Sequence, residues 1–109
     1  MALRHKIGTL GESLAERFLV DRGYNLVERN AYVDGDELDL IMAHGSTIIA
    51  VEVKTTTNGA DPFEAIDDEK MFRVHRATDA YRLTILRVDV IAVMLSVEGA
   101  TIHWVQSME

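Results

Sequence analysis

Two stretches in the first half of the chain carry the pattern of strands: residues 37–43 and residues 47–54, both rich in aliphatic and β-branched side chains. Between them His44-Gly45-Ser46-Thr47 offers a Gly-Ser pair suited to a type II′ hairpin turn. A two-residue loop pairs His44 with Thr47, and counting back along both strands sets Asp39 opposite Glu52. A four-residue loop gives the same register. Upstream, Leu14, Ala15, Phe18 and Leu19 form an apolar stripe at helical spacing, which predicts a helix over residues 8–22 closed by Gly23. Residues 24–29 follow as a first strand. Downstream, Asp67-Asp68-Glu69 opens a second helix reaching about Arg82, with Lys70, Val74, Ala77 and Tyr81 along one stripe. Asp61-Pro62-Phe63-Glu64 predicts a short helical turn before it, with Asp as cap and Pro at the first position. Residues 88–95 read as a largely buried strand and residues 101–105 as a last edge strand after a turn at Glu98-Gly99. The polar segment 55–61 is the expected mobile loop. The order α-β-β-β-α-β-β predicts an α/β domain with a mixed central sheet flanked by helices, in two or three layers.

The predicted hairpin brings two carboxylates together. Directly opposed residues of an antiparallel pair have Cβ atoms about 4.5–5.5 Å apart, where like charges destabilise the sheet. A divalent cation between Asp39 and Glu52 compensates for this, since Mg²⁺ and Mn²⁺ take oxygen ligands. Alternation along the strand places Ala50, Glu52 and Lys54 on one face, so the Lys54 ammonium lies beside that position. A Glu-Val-Lys run on an alternating strand fits a solvated face as well. Glu12 stands three residues before Ala15 and seven before Leu19, on or beside the buried face of the first helix. Carboxylates are seldom buried unless paired or bound to metal; a glutamate favoured by the helix dipole near the helix start is the other reading. Lys70 sits at the edge of its helix's core stripe with its head free to extend, as a solvated lysine also would.

With 109 residues and no cysteine, the chain is expected to form one domain, residues 1–109, without disulfides or thiolate metal sites. It has no apolar run long enough to cross a membrane and no apolar signal block, so it is expected in the cytoplasm. A net charge of −7 argues against a broadly basic nucleic-acid coat. Positive charge is instead concentrated, with Lys70, Arg73, Arg76 and Arg82 on the second helix and Arg4 and Lys6 near the N-terminus. His5, His44, His75 and His103 have no ligand-like spacing. Trp104 and the three tyrosines are too scattered to predict a base-stacking platform, and Tyr81 is expected in the core.

Together these residues resemble the YraN-type predicted endonucleases of the restriction-endonuclease-like superfamily, whose signature is PD-(D/E)xK. The matching pieces span almost the whole chain: Gly11-Glu12 with Ala15, Gly23-Tyr24, Arg29-Asn30, Glu37-Leu38-Asp39-Leu40-Ile41, Val51-Glu52-Val53-Lys54, Glu64-Ala65-Ile66, Lys70, and Val88-Asp89-Val90-Ile91-Ala92-Val93. The resemblance implies a core of order αβββαβ, Asp39 and Glu52 as metal-binding acids, Lys54 as the signature lysine and Glu12 as the helical carboxylate of the resolvase-like branch. Two departures stand out. Thr56 occupies the position where the family usually carries an arginine, and Leu38 replaces the signature proline.

The function expected is Mg²⁺- or Mn²⁺-dependent hydrolysis of a DNA phosphodiester, endonuclease- or resolvase-like, in DNA repair or recombination. Catalysis falls to Asp39, Glu52, Lys54 and Glu12, metal binding to Asp39, Glu52 and Glu12, and nucleic-acid contact to Lys70, Arg73 and Arg76. Branched or single-stranded DNA is the expected partner. Junction cleavage needs two sites and therefore a homodimer. The alternative is a catalytically inactive adaptor that keeps the nuclease fold and binds nucleic acid or protein, which the acidic balance and Thr56 favour; a purely structural interaction domain is a third reading.

Overall fold

The computed structural model describes residues 2–107. Its elements are α1 (Leu3–Val20), β1 (Asn25–Val33), β2 (Asp36–His44), β3 (Thr47–Thr56), a 3-10 turn (Pro62–Ala65), α2 (Asp68–Ala80), β4 (Arg87–Ser96) and β5 (Gly99–Val105). The strands form one sheet in the order β1-β2-β3-β4-β5, antiparallel except between β3 and β4. A parallel pair needs a long crossover, and here the crossover carries α2. One helix covers each face. Ala15 and Leu19 of α1 pack on Leu40, Met42, Ile49 and Val51, whereas Met71, Val74 and Ala77 of α2 pack on Ile41, Ala50 and Val88. The molecule is therefore an α/β/α sandwich with the αβββαβ order of a restriction-endonuclease-like core and β5 added at the edge. Burial on both faces explains the unbroken apolar runs of β3 and β4.

The elements start and stop for local reasons. Gly23, at φ 93, turns the chain so that the Tyr24 N–H reaches back to the Leu19 carbonyl at 3.1 Å, closing α1. Asp67 caps α2 by accepting the Lys70 N–H at 2.8 Å, and Asp61 caps the 3-10 turn by accepting that of Phe63 at 3.0 Å. The β2–β3 hairpin turns at Gly45, at φ 60, and pairs His44 with Thr47 as the sequence predicts.

The largest departures from the expected boundaries fall at the start of α1 and the end of β1. Helix α1 begins at Leu3 rather than Gly8, because the His5 and Lys6 N–H groups close onto the Ala2 carbonyl without any buried side chain. An amphipathic stripe marks only the buried part of a helix. Strand β1 runs to Val33 rather than ending at Arg29, and joins β2 through Asp34 at φ 51 and Gly35 at φ 87. Two left-handed residues suit a type I′ turn, for which Asp-Gly is a preferred pair. This turn sets Tyr32 opposite Glu37.

Helix α1 approaches β3 closely at one point. A Cβ built on Gly11 would lie 1.7 Å from Thr55 Oγ1, so only glycine permits the contact. Glu12, the next residue, is thereby fixed near the end of β3 that carries Lys54.

Candidate functional site

The sheet opens at Asp39. The β2–β3 ladder ends at Leu40↔Val51, one pair short of the predicted Asp39–Glu52 opposition. On the other side the β1–β2 register passes from Arg29↔Leu40 to Ala31↔Leu38, with Asn30 in left-handed backbone at φ 49. Asp39 thus has no ladder partner on either strand. Side chains replace the missing backbone bonds: the Asp39 N–H donates to Glu52 Oε2 at 3.2 Å, and the Val53 N–H donates to Asp39 Oδ2 at 2.8 Å. This reciprocal exchange is the physical reason the simple pairing fails. It also locks the two carboxylates beside each other, each held by the other strand's backbone.

The pair is costly as it stands. Glu52 is 4% exposed, and its Oε1 is buried without a hydrogen-bond partner. An unpartnered buried carboxylate oxygen is a strong acceptor kept from water. Burial pushes the Asp39 carboxyl up to about 6, the Val53 N–H opposing that shift and Glu12 adding to it. Burial, then the Asp39 charge, pushes Glu52 up to about 8, against the pull of the Asp39 N–H and Lys70. Two oxygen donors of like charge, from buried Glu52 and half-buried Asp39, suit a hard divalent cation.

The other residues singled out in the sequence surround this pair unequally. Lys54 is half-buried and lines a recess of about 60 Å³ together with Glu52, Ile66 and Lys70. The Lys70 ammonium reaches across from α2 to within 3.6 Å of Glu52 Oε1, and the same residue lines a second recess beside Asp39 and Glu37. Glu12 stands further off: its Oε1 accepts from Asn30 Nδ2 at 3.2 Å, and it acts on Asp39 through charge. Among the described residues no three His, Asp or Glu side chains converge at metal-ligating distance. Arg73 pairs with Glu69 at 3.1 Å and Arg76 with Asp36 at 2.6 Å. Both arginine side chains remain about half exposed.

Three residues to which the sequence assigns no role, Asn30, Glu37 and Tyr32, structure the approach to the pair. Asn30 Nδ2 bridges Glu12 and Glu37, at 3.2 and 2.7 Å. Glu37 lines both the Asp39 recess and a neighbouring cleft, and through hydrogen bonding it raises the pKa of Tyr32, its cross-strand partner. The Asp34-Gly35 turn signal was the clue, because it fixes Tyr32 against Glu37. Thr56, where an arginine was expected, donates through Oγ1 to the Ala60 carbonyl at 2.9 Å and tightens the loop after β3.

Fold and site together define an α/β protein with a five-stranded mixed sheet, flanked by two helices, that opens around a carboxylate pair, Glu52 buried and Asp39 half-buried. The chain belongs to the UPF0102 family: the model for that group, described as an uncharacterised protein family, matches residues 11–93. The match includes Glu12, Asp39, Glu52, Lys54, Lys70, Arg73 and Arg76. The chain is 39% identical over 102 residues to a UPF0102 protein of Leifsonia xyli subsp. xyli, covering 86% of each chain. It is 35% identical over 107 residues to one of Dictyoglomus turgidum, covering 91% of each. No helix among the described residues is long and apolar enough to cross a membrane.

Proposed function

We propose that this protein is a metal-dependent endonuclease that hydrolyses DNA phosphodiesters, and that it is a PD-(D/E)xK enzyme acting in DNA repair or recombination. The observation that carries this reading is Glu52 Oε1, a buried carboxylate oxygen without a hydrogen-bond partner, next to Asp39 where the sheet opens. Asp39 and Glu52 would hold Mg²⁺ or Mn²⁺, with Glu12 contributing through water rather than by direct contact. The chemistry such an ion supplies is polarisation of the phosphate and activation of water.

The chain's own groups supply the rest. The Val53 and Asp39 N–H groups fix the orientation of both carboxylates, so the donor oxygens are presented without further rearrangement. Lys54 stands on the same recess as Glu52, where an ammonium orients the attacking water or stabilises the charge that builds on the phosphoryl oxygens. Lys70 neutralises Glu52 in the absence of metal and is placed to meet a phosphate when that role is relieved. A non-catalytic adaptor gives the buried Glu52 oxygen without a hydrogen-bond partner no role, which favours the nuclease reading.

The test is a Mn²⁺ titration followed by thermal unfolding, comparing the natural chain with Asp39→Asn. Native-state binding stabilises by about 2.7 kcal/mol at a hundredfold excess over Kd. The natural chain should gain that stability, and the variant should not. Cleavage of branched, flapped and single-stranded DNA in Mn²⁺ should likewise be lost in the variant. Full metal-dependent cleavage by Asp39→Asn would refute the mechanism.

A further inference from the structure

A polar cleft lies near the carboxylate pair, between α1 and the β1–β2 hairpin. Its volume is about 440 Å³, and His5, Glu12, Arg29, Asn30, Tyr32 and Glu37 are among its lining residues. Glu37 lines this cleft and also the Asp39 recess, so the two spaces meet at its side chain. Two positions along a strand span roughly 7 Å, which makes the cleft the immediate neighbour of the Asp39 position.

Its chemistry does not suit phosphate. Glu12 and Glu37 present carboxylates, bridged by one Asn30 amide. Arg29, the strongest cation present, is already engaged by both oxygens of Glu16 at 2.6 and 2.8 Å. At the mouth stands Tyr32, 75% exposed and set by the hairpin register against Glu37. An aromatic face, carboxylate acceptors and an amide are the groups that recognise a nucleobase: stacking on the ring, and hydrogen bonds to exocyclic amino groups.

We propose that this cleft binds an unpaired nucleobase of the substrate strand, stacked on Tyr32, beside the phosphate presented to Asp39 and Glu52. The inference rests on the nuclease reading and narrows its substrate to DNA with single-stranded character. Within a continuous duplex both faces of a base are covered by its neighbours. Only an unpaired or extruded base can lie on the ring.

The experiment measures equilibrium binding, without metal, of a short single-stranded oligonucleotide, its duplex, and an oligomer of the same length built of abasic deoxyribose phosphates. Each is bound to the natural chain, to Tyr32→Ala and to Tyr32→Phe. The single strand should bind more tightly than either the duplex or the abasic oligomer. Tyr32→Ala should weaken the single strand about tenfold, the size of one lost stacking contact, and Tyr32→Phe should restore it. The abasic oligomer should not distinguish the three proteins. The proposal is overturned by equal binding of duplex and single strand, by an equal loss for intact and abasic oligomers in Tyr32→Ala, or by no measurable binding of the single strand. Cleavage of the same strand in Mn²⁺ is scored separately. Base-dependent binding without cleavage would sink the nuclease reading and leave the base site standing.

Discussion

Lys70 Nζ lies 3.6 Å from Glu52 Oε1, beyond hydrogen-bond reach yet close enough to neutralise a buried charge. The contact joins α2 to the centre of the sheet, and without metal no other ammonium or guanidinium of the described residues pairs with either carboxylate. Its lysine end is 46% exposed, so solvent screens it.

If Asp39 and Glu52 hold a divalent cation as proposed, Lys70 competes with it for the same oxygen. Lys70→Met should lower the metal-free unfolding temperature by a few degrees, since screening limits the loss to about 1 kcal/mol. The same change should tighten Mn²⁺ binding severalfold, because a nearby positive charge no longer opposes it. Calorimetric titration and thermal unfolding of one variant check both signs. Weaker Mn²⁺ binding in Lys70→Met would mean that the lysine supports the ion rather than standing in for it.

The acid pair also fixes a pH dependence. Both carboxyls are held above their ordinary values in the folded chain, Asp39 at about 6 and Glu52 at about 8. The folded state thus binds more protons than the unfolded state between about pH 4 and pH 8. The stability this contributes is complete below about pH 4 and is lost as pH rises through 6 and then 8. In chelator, the unfolding temperature of the natural chain should fall over that window relative to an Asp39→Asn, Glu52→Gln double variant. Saturating Mn²⁺ should remove the fall, because the ion takes the place of the protons. A difference curve that stays flat in chelator would show that the pair is not strained.

Much of this site was legible from spacing alone. The Gly45-Ser46 turn fixes the β2–β3 register, and counting from it brings Asp39 to Glu52. The opening of the sheet was not legible, because it depends on side chains trading places with backbone partners at Asp39 and on Asn30 adopting left-handed backbone. Periodicity records which face a residue takes, not which ladder bond is missing. The ion pairs of Arg76 with Asp36 and of Lys70 with Glu52 join residues far apart in sequence, and only the packing of α2 over the sheet decides them. The Asp34-Gly35 turn was present to be read, and would have extended β1 to include Tyr32.

Gly11 tests whether the approach of α1 matters to the site. A methyl group there meets Thr55 Oγ1 at 1.7 Å and Thr55 Cβ at 2.8 Å, so helix or strand must shift. Gly11→Ala should cost about 1–3 kcal/mol, the usual range for overpacking, and should weaken Mn²⁺ binding as Glu12 moves. Thr55→Ala in the same chain removes the nearest atom and should recover part of both losses. Independent, additive effects of the two substitutions in unfolding measurements would place the contact elsewhere.

Asp89 separates stability from the site. It is wholly buried, and accepts from Arg87 Nε and Trp104 Nε1 at 2.9 Å each, from a second Arg87 nitrogen at 3.2 Å, and from the Ser107 N–H at 2.9 Å. This network ties β4 to β5 and the chain beyond it. Asp89→Asn leaves Arg87 without its counter-charge and should cost about 3 kcal/mol. Mn²⁺ affinity measured well below the melting temperature should not change. A matching loss of metal binding would show that the two networks are coupled through β4.

Lys54 separates metal binding from turnover. It lies two residues beyond Glu52 on β3 and shares a recess with it, yet pairs with no carboxylate among the described residues. Under the proposed function, an ammonium that shares a recess with buried Glu52 and pairs with no carboxylate would meet charge that arrives with substrate. Lys54→Ala should therefore leave the Mn²⁺-induced rise in melting temperature intact while lowering the cleavage rate by roughly 10²–10³, the effect of removing one donor aimed at developing charge. Asp39→Asn and Glu52→Gln should lose both. If Lys54→Ala instead abolishes Mn²⁺ binding, the lysine holds the carboxylates in place and the reaction needs another group to stabilise the phosphoryl oxygens.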